Sequence, residues 1–323
     1  MTKCSVGCLV IAVLSFAAQA QQQKCAFISS YFPGYPWSDG ILLGVESVLK
    51  EQCELRSFHM DTKRNPSTEF GQKKALEAKA FIEAYQPDVV IAADDNASRY
   101  LVVPHYKDAA LPFVFCGINW SVAEYGYPFS NVTGMVEVTP VDKVKQVFNL
   151  VVGNPKKGMM LSGNNFSDRK DFAGFSQVFK ADGIELKAAF VANMEEWVAA
   201  YKKAQTLDFL ILHNNTNIKG WDSSRALAVQ QEISKTFSLT LNRWMMPFTM
   251  LGVFKIPEEQ GEWAAQVALE ILAGAKPIEI PIVPNSRWDM MFNEQRLELA
   301  GIELPISLLH EAAEYVCEPN DGC

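Results

Sequence analysis

The chain has 323 residues, 49% of them apolar and 20% charged, with Lys+Arg 29 against Asp+Glu 37 and a formal net charge of -8. That length is about twice a common domain, so two lobes are the default, and the apolar content is too high for a disordered chain. A surface that tracks phosphates must be basic, so neither a nucleic-acid partner nor an anionic membrane surface is expected.

The first residues read as an export signal. Lys3 supplies a positive charge, an apolar stretch runs from Val6 to Ala18, and Ala18-Gln19-Ala20 is the small-x-small pattern cut by signal peptidase. The apolar run falls short of the ~20 residues that a spanning helix needs. A lipid anchor would need a small-residue box directly before a cysteine, which neither Cys8 nor Cys25 has. The expectation is a signal peptide over residues 1–20, cleavage near Ala20, and a periplasmic protein without a lipid anchor.

Residues 25–30 then read as a strand, and Ser38 can cap a helix whose Ile41, Leu42, Val45, Val48 and Leu49 share one face. Residues 53–60 read as a second strand, 70–85 as a helix stopped by Pro87, and 89–92 and 112–116 as strands buried on both faces. This is a βαβαβαβ series, the pattern of a doubly wound parallel sheet. Thr139 and Pro140 offer an N-cap and first position for a helix over 141–152. Strand candidates at 158–161, 185–190 and 209–212 alternate with helices near 168–181, 194–205 and 223–236, a second α/β unit of similar size. Residues 258–273 form an amphipathic helix ended by Gly274 and Pro277, followed by a strand-like stretch at 278–283. A chain that builds the second lobe and returns would lay that helix on the first. A helix ending at Gly301 and a short one over 305–315 complete the series.

Five cysteines lie beyond the signal. Cys25 and Cys53 each open a strand-like run, and their sulfurs can meet if those strands are parallel neighbours in matching register. Cys317 and Cys323 could close a small loop, and Cys116 is left as a buried free thiol. No Cys or His spacing suggests a metal site.

Ligands of open parallel sheets bind beyond the carboxyl ends of the strands. The loops there carry Ser30, Tyr31 and Trp37; Asp94, Asp95 and Asn96; Gly117, Asn119 and Trp120; Asn164 and Asn165; His213, Asn214 and Asn215; and Trp244. Amides and aromatic rings dominate, a combination suited to a small polar molecule with an apolar or ring portion. Asp94 and Asp95 can serve as partners for a ligand ammonium or as an acid/base pair, or one of them can cap a helix beginning near Ala97. Adjacent residues usually point apart, which disfavours a shared proton. Nucleophile elbow, P-loop, dinucleotide fingerprint and zinc-helix motifs are absent, and His213, the only histidine in a predicted cleft loop, is flanked by amides. Neither catalysis nor a cofactor is expected.

Ile28-Ser-Ser-Tyr-Phe-Pro-Gly-Tyr-Pro-Trp37, Pro112-Phe-Val-Phe-Cys-Gly117 and Asn131-Val-Thr-Gly134 resemble the periplasmic ABC transporter substrate-binding proteins of the type I, two-lobe kind. The resemblance continues through Glu258-Glu-Gln-Gly-Glu-Trp-Ala-Ala265, Ile271-Leu-Ala-Gly-Ala-Lys-Pro277 and Ala300-Gly-Ile-Glu-Leu-Pro305. It implies two doubly wound parallel-sheet α/β lobes joined by a multi-strand hinge, with lobe one at 21–138 plus 250–282 and lobe two at 139–249 plus 283–323. It also implies a monomer that closes on a small-molecule ligand and delivers it to a membrane permease. A sensory binder presenting its ligand to a receptor or histidine kinase is the alternative, and a secreted hydrolase a third. The family's cleft loops fall on the strand-end loops named above. Aromatic amino acids are among the family's ligands.

Overall fold

The computed structural model describes residues 22–316, so the expected signal peptide and the Cys317–Cys323 pair lie outside the described residues. The strands are β1 (Lys24–Ser29), β2 (Glu54–His59), β3 (Val89–Ala93), β4 (Phe113–Asn119), β5 (Val132–Glu137), β6 (Lys157–Gly163), β7 (Glu185–Val191), β8 (Phe209–Asn214), β9 (Phe237–Thr240), β10 (Leu251–Lys255), β11 (Val283–Pro284), β12 (Trp288–Phe292) and β13 (Ala313–Glu314). The helices are α1 (Pro36–Leu49), α2 (Thr68–Tyr85), α3 (Asp94–Ala97), α4 (Val103–Tyr106), α5 (Val141–Val152), α6 (Phe166–Ala181), α7 (Met194–Ala204), α8 (Ser223–Ile233), α9 (Pro257–Leu272), α10 (Glu294–Ala300) and α11 (Ile306–Glu311).

The strands form two sheets, in the orders β11-β5-β4-β3-β1-β2 and β13-β12-β10-β9-β8-β6-β7. Every pairing is parallel except β10 with β12. Alternation along the strands builds a core on each face. Ile28, Val90 and Phe115 pack on one side of the first sheet, and Phe27, Ile91 and Val114 on the other. The second sheet repeats this with Met160 and Ile211 against Leu161 and Leu212. Each such side chain, fully buried, favours folding by roughly 1.5–3 kcal/mol, which is why wholly apolar runs give strands covered on both faces.

The chain crosses between the lobes after β5, after β10 and after β11. β10, expected in the first lobe, belongs to the second sheet, and β11, expected in the second, pairs with β5. α9 does return to the first lobe, where it crosses α1 at backbone contact. A Cβ on Gly261 would stand 2.0 Å from the Ile41 carbonyl oxygen, and one on Gly44 2.3 Å from that of Glu258. Asn285 ties two crossings together, its Oδ1 accepting from the Val138 amide at 2.6 Å. Lys255 and Glu137, the last residues of β10 and β5, form a buried ion pair across the same hinge.

Local starts and stops differ from the sequence reading in ways the backbone explains. α1 opens at Pro36, whose missing N–H costs nothing at the first helical position, so Ser38 lies inside the helix and caps nothing. Likewise Pro140, not Thr139, precedes α5, with no side-chain cap. Residues 277–284 hold only a short helical turn and the two-residue β11, because Pro277, Pro281 and Pro284 have no N–H to give a longer ladder. Helix α10 ends at Gly301, φ +65°, as its sequence suggests. Cys25 in β1 and Cys53 just before β2 are disulfide-bonded, Cα–Cα 5.9 Å, and Cys116 is a buried free thiol.

Candidate functional site

The carboxyl ends of the two sheets face each other, and what they deliver meets around a central cavity of about 30 Å³. That is room for one water or one ammonium group. Tyr31, Tyr35, Trp37 and Trp244 supply aromatic walls, and four carboxylates reach the lining: Asp94, Glu137, Asp168 and Asp171.

On the second lobe's face both carboxylates are fully bonded, while His213 Nδ1 and Trp244 Nε1 are buried without partners. Asn165 caps α6 by accepting from the Asp168 amide at 3.1 Å, which orients the first turn of that helix. The Asp168 carboxylate accepts from Ser162 Oγ (2.8 Å), Asn165 Nδ2 (2.6 Å) and Asn214 Nδ2 (3.3 Å). One turn on, Asp171 accepts from Trp120 Nε1 at 2.9 Å and pairs with His213 Nε2 at 3.1 Å. Burial opposes the charge on Asp171, but Lys255 and His213 overcome it and hold its carboxyl below the usual carboxylate range. Glu137, competing for the same lysine, is pushed up to about 7 by burial.

Asp94 on the first lobe is different. It follows β3 directly, with its backbone in the left-handed region at φ +71°, and only 1% of it is exposed. Its Oδ1 accepts from Trp37 Nε1 at 2.9 Å, while Oδ2 has no hydrogen-bond partner. Gly117 leaves room beside it, for a Cβ there would stand 2.8 Å from Asp94 Oδ1. Among the four lining carboxylates it alone has no basic side chain within ion-pair distance, since Lys63 meets Asp168, Lys255 meets Glu137 and His213 Nε2 meets Asp171. Burial, and then the Glu137 and Asp95 carboxylates, push the Asp94 carboxyl well above the usual range against the Trp37 hydrogen bond and the more distant Lys63. Beside it, Asn119 Oδ1 is a second buried acceptor without a partner.

Direct contacts join the two faces. Lys63 of the first lobe, only 4% exposed, donates to Asn165 Oδ1 (3.3 Å), Ser167 Oγ (2.7 Å) and Asp168 Oδ1 (3.1 Å). The Tyr31 and Tyr35 rings flank its ammonium at 5.0 and 5.5 Å. Burial works against that charge, yet Asp168 keeps the lysine's pKa above its ordinary value. Lys170 of the second lobe reaches back to Asp95 at 2.7 Å, and Tyr35 meets the Trp244 ring edge-on at 5.3 Å. Among the described residues no three of His, Cys, Asp and Glu are disposed to hold a metal ion, and no helix is long and apolar enough to cross a membrane.

Residues 38–316 match the family model described as ABC transporter substrate binding protein. The chain belongs to that family. No curated protein matches the sequence. Solved structures agree on the fold. An ABC domain from Streptococcus pneumoniae in complex with L-Trp is 18% identical, covering 92% of this chain and 100% of that one with a TM-score of 0.72. A conserved domain protein from Vibrio cholerae is 16% identical over 91% of this chain and 99% of its own, TM-score 0.69. A periplasmic ribose ABC transporter protein from Conexibacter woesei is 15% identical over 87% and 95%, TM-score 0.57. These likenesses agree with the two parallel-sheet α/β lobes described above.

In this substrate-binding chain, Tyr31, Trp37, Asp94, Asn119, His213, Asn214 and Trp244 reach the central cavity. The other candidates from the strand-end loops do other work. Ser30 Oγ donates to the Ala93 carbonyl and accepts from the Ala97 amide, so it supplies the helix-start contact considered for Asp94 or Asp95. Asp95 is spent on Asn119, Tyr125 and Lys170, and Gly117 donates its amide to Gln260. Trp120 bridges to Asp171 from beside the cavity rather than within it. Asn96, Asn164 and Asn165 line a neighbouring chamber, and Asn215 lies in the turn whose carbonyl accepts from Ile218. Sequence reasoning missed Lys63, Glu137, Asp168, Asp171 and Lys255. Asp168 and Asp171, spaced i,i+3 just after a strand-end loop, were the one readable signal.

Proposed function

We propose that the protein captures a small ammonium-bearing solute between its lobes, outside the cytoplasmic membrane, and delivers it to the permease of an ABC importer. The observation that carries this reading is Asp94: a buried carboxylate at a strand end, with no cation and one free oxygen beside the free Asn119 acceptor. A primary ammonium supplies the missing charge and up to three donors at once. Aromatic walls add cation–π attraction and apolar contact. The family membership, and the L-Trp bound by the Streptococcus pneumoniae protein, support a solute with an amine. An export signal over the first residues and the Cys25–Cys53 bond support an oxidising, extracytoplasmic setting. The hinge of three crossings supports closure of the lobes on the ligand.

Calorimetric titration with amines, amino acids, sugars and nucleosides tests it. The expected result is binding confined to ammonium-bearing compounds and lost in Asp94→Asn. Tight binding of a neutral sugar, indifferent to that substitution, would overturn the reading.

A further inference from the structure

Trp120 belongs to one lobe by its backbone and to the other by its side chain. It directly follows β4, and its amide donates at 2.9 Å to the carbonyl of Glu137, the last residue of β5. Its ring packs instead against the second lobe's core, the one first-lobe side chain in that cluster among the described residues.

The socket lies in α6. The indole Nε1 donates to Asp171 Oδ1 at 2.9 Å, and the ring meets Phe175 edge-on, 5.6 Å between centroids. Between those two contacts stands Gly174, where a Cβ would come within 2.3 Å of the indole Cε2 and 2.4 Å of Cδ2. Glycine weakens a helix interior relative to alanine, and Gly174 has no left-handed backbone to justify it. The room it leaves for the ring is what it supplies. Trp120 itself stands at φ +62°, an uncommon conformation for so bulky a residue, which persists where the surroundings over-determine it. Asp171 carries the contact inward, for its Oδ2 meets His213 Nε2 at 3.1 Å and both residues line the central cavity.

We infer that Trp120 is a clasp whose indole seats in α6 when the lobes close and leaves when they open, passing the hinge angle through Asp171 to the cavity wall. This rests on the closure of the lobes in the reading above. β4 and the Glu137 bond keep the backbone with the first lobe, so rotation of the lobes apart draws the ring out of its socket. The left-handed backbone is then free to relax. Lys63 and Lys170 cross the cleft as well, on flexible stems that tolerate a range of angles. A rigid indole in a fitted socket accepts one.

The test labels the exported protein with fluorotryptophan and reads the Trp120 fluorine resonance, assigned by its loss in Trp120→Phe, alongside the radius of gyration in solution scattering. Lys63→Met, which frees the lobes elsewhere in the cleft, should enlarge the radius and move the Trp120 resonance towards that of a solvated indole. Trp120→Phe keeps a ring for the socket but offers Asp171 no N–H. It should lower the ratio of closed to open protein roughly tenfold or more, the effect of one hydrogen bond to a charged group, and so enlarge the radius. Gly174→Ala crowds the same socket from the helix side and should enlarge it too, which keeps the clasp testable where Trp120→Phe fails to fold. A Trp120 resonance that stays in place while the radius grows makes the indole a fixed joint and overturns the clasp, with hinge motion intact. A radius unmoved by both socket variants but enlarged in Lys63→Met overturns it equally. If the radius is the same in all three variants and the parent, closure of the lobes falls and the clasp with it.

Discussion

The two faces of the cleft bond in opposite ways. On the second lobe, the Asp168 and Asp171 carboxylates are saturated by Ser162, Asn165, Asn214 and His213, together with Lys63 and Trp120 reaching across from the first lobe. On the first lobe, Asp94 Oδ2, Asn119 Oδ1 and Asn96 Oδ1 are buried and unmet. Unmet buried acceptors are costly, and they persist only where something else over-determines them or function needs them. On the proposed function the faces would have different jobs, the first lobe's free carboxylate meeting the solute's charge and the second lobe's carboxylates bonding the lobes together.

Asp94→Asn should break the comparison most. The asparagine can still accept from Trp37 and fits the same space, but it offers an ammonium no charge. Affinity for an amine solute should fall by a factor on the order of 100–1,000 in calorimetry, the cost of truncating one partner of a buried charge pair. The ligand-free protein should at the same time melt higher, by about 0.5–2 kcal/mol of stability, because a carboxyl that is hard to ionise where it stands has gone. A variant that loses both binding and stability would place Asp94 among the fold's supports instead.

Lys63→Met removes the cation that joins the faces while keeping most of the apolar stem between Tyr31 and Tyr35. Breaking a buried ion pair costs about 3–5 kcal/mol when the orphaned charge stays dry. Here Asp168 can instead be wetted by opening of the hinge. The expected outcome is a larger radius of gyration in solution scattering with only a small drop in melting temperature. An unchanged shape with a large loss of stability would make Lys63 a structural strut.

A third substitution sharpens the comparison at lower amplitude. Gly174 lies in α6 under Trp120, and an added Cβ would come within 2.3 Å of that ring. Gly174→Ala favours the helix by about 1 kcal/mol wherever Trp120 is withdrawn, and crowds it wherever Trp120 holds Asp171. Affinity should fall by about tenfold with melting unchanged or slightly raised. A drop in melting temperature of the ligand-free protein would show that Trp120 never leaves α6.

The lobes themselves were legible because burial leaves a period in the sequence. Val89 to Ala93 alternates between two cores and could hardly be anything but a central strand. The strand-end rule then found half of the site, including Asp94, Asn119 and His213. It could not find Lys63, which sits in Asp61-Thr62-Lys63-Arg64 and reads as a solvated turn. Nor could it find Glu137 and Lys255, ordinary charges at strand ends until the hinge brings two crossings together. Charged residues are almost never buried unless paired, and a pairing 118 positions apart in the chain (255 minus 137) leaves no local trace. Asp95, by contrast, reads like Asp94 in sequence and differs only because Lys170, Tyr125 and Asn119 reach it.

The smallest effect carries the most information about the two faces. Burial raises the carboxyl pKa of both Asp94 and Glu137, the latter to about 7, above the value each has in the unfolded chain. Between those values the native protein holds more protons than the unfolded one, so stability is full below pH ~4 and is lost as pH rises through the raised pKa. Asp171 has the opposite sign, but its depressed value puts its loss in acid below that window. Acidification from about pH 8 to 5 should therefore stabilise the ligand-free protein by roughly 1–2 kcal/mol, and Glu137→Gln should flatten part of the slope. Binding of an ammonium runs the other way, since it needs Asp94 ionised and must expel the proton that acid supplies. Melting temperature and affinity should thus move in opposite directions across this range, and in Asp94→Asn the affinity arm should vanish while the Glu137 share of the stability arm remains. If affinity and stability instead rose together on acidification, the solute's charge would be met by a group other than Asp94, and the second lobe's face, with Asp168, Asp171 and the unpartnered His213 Nδ1, would be the place to look for it.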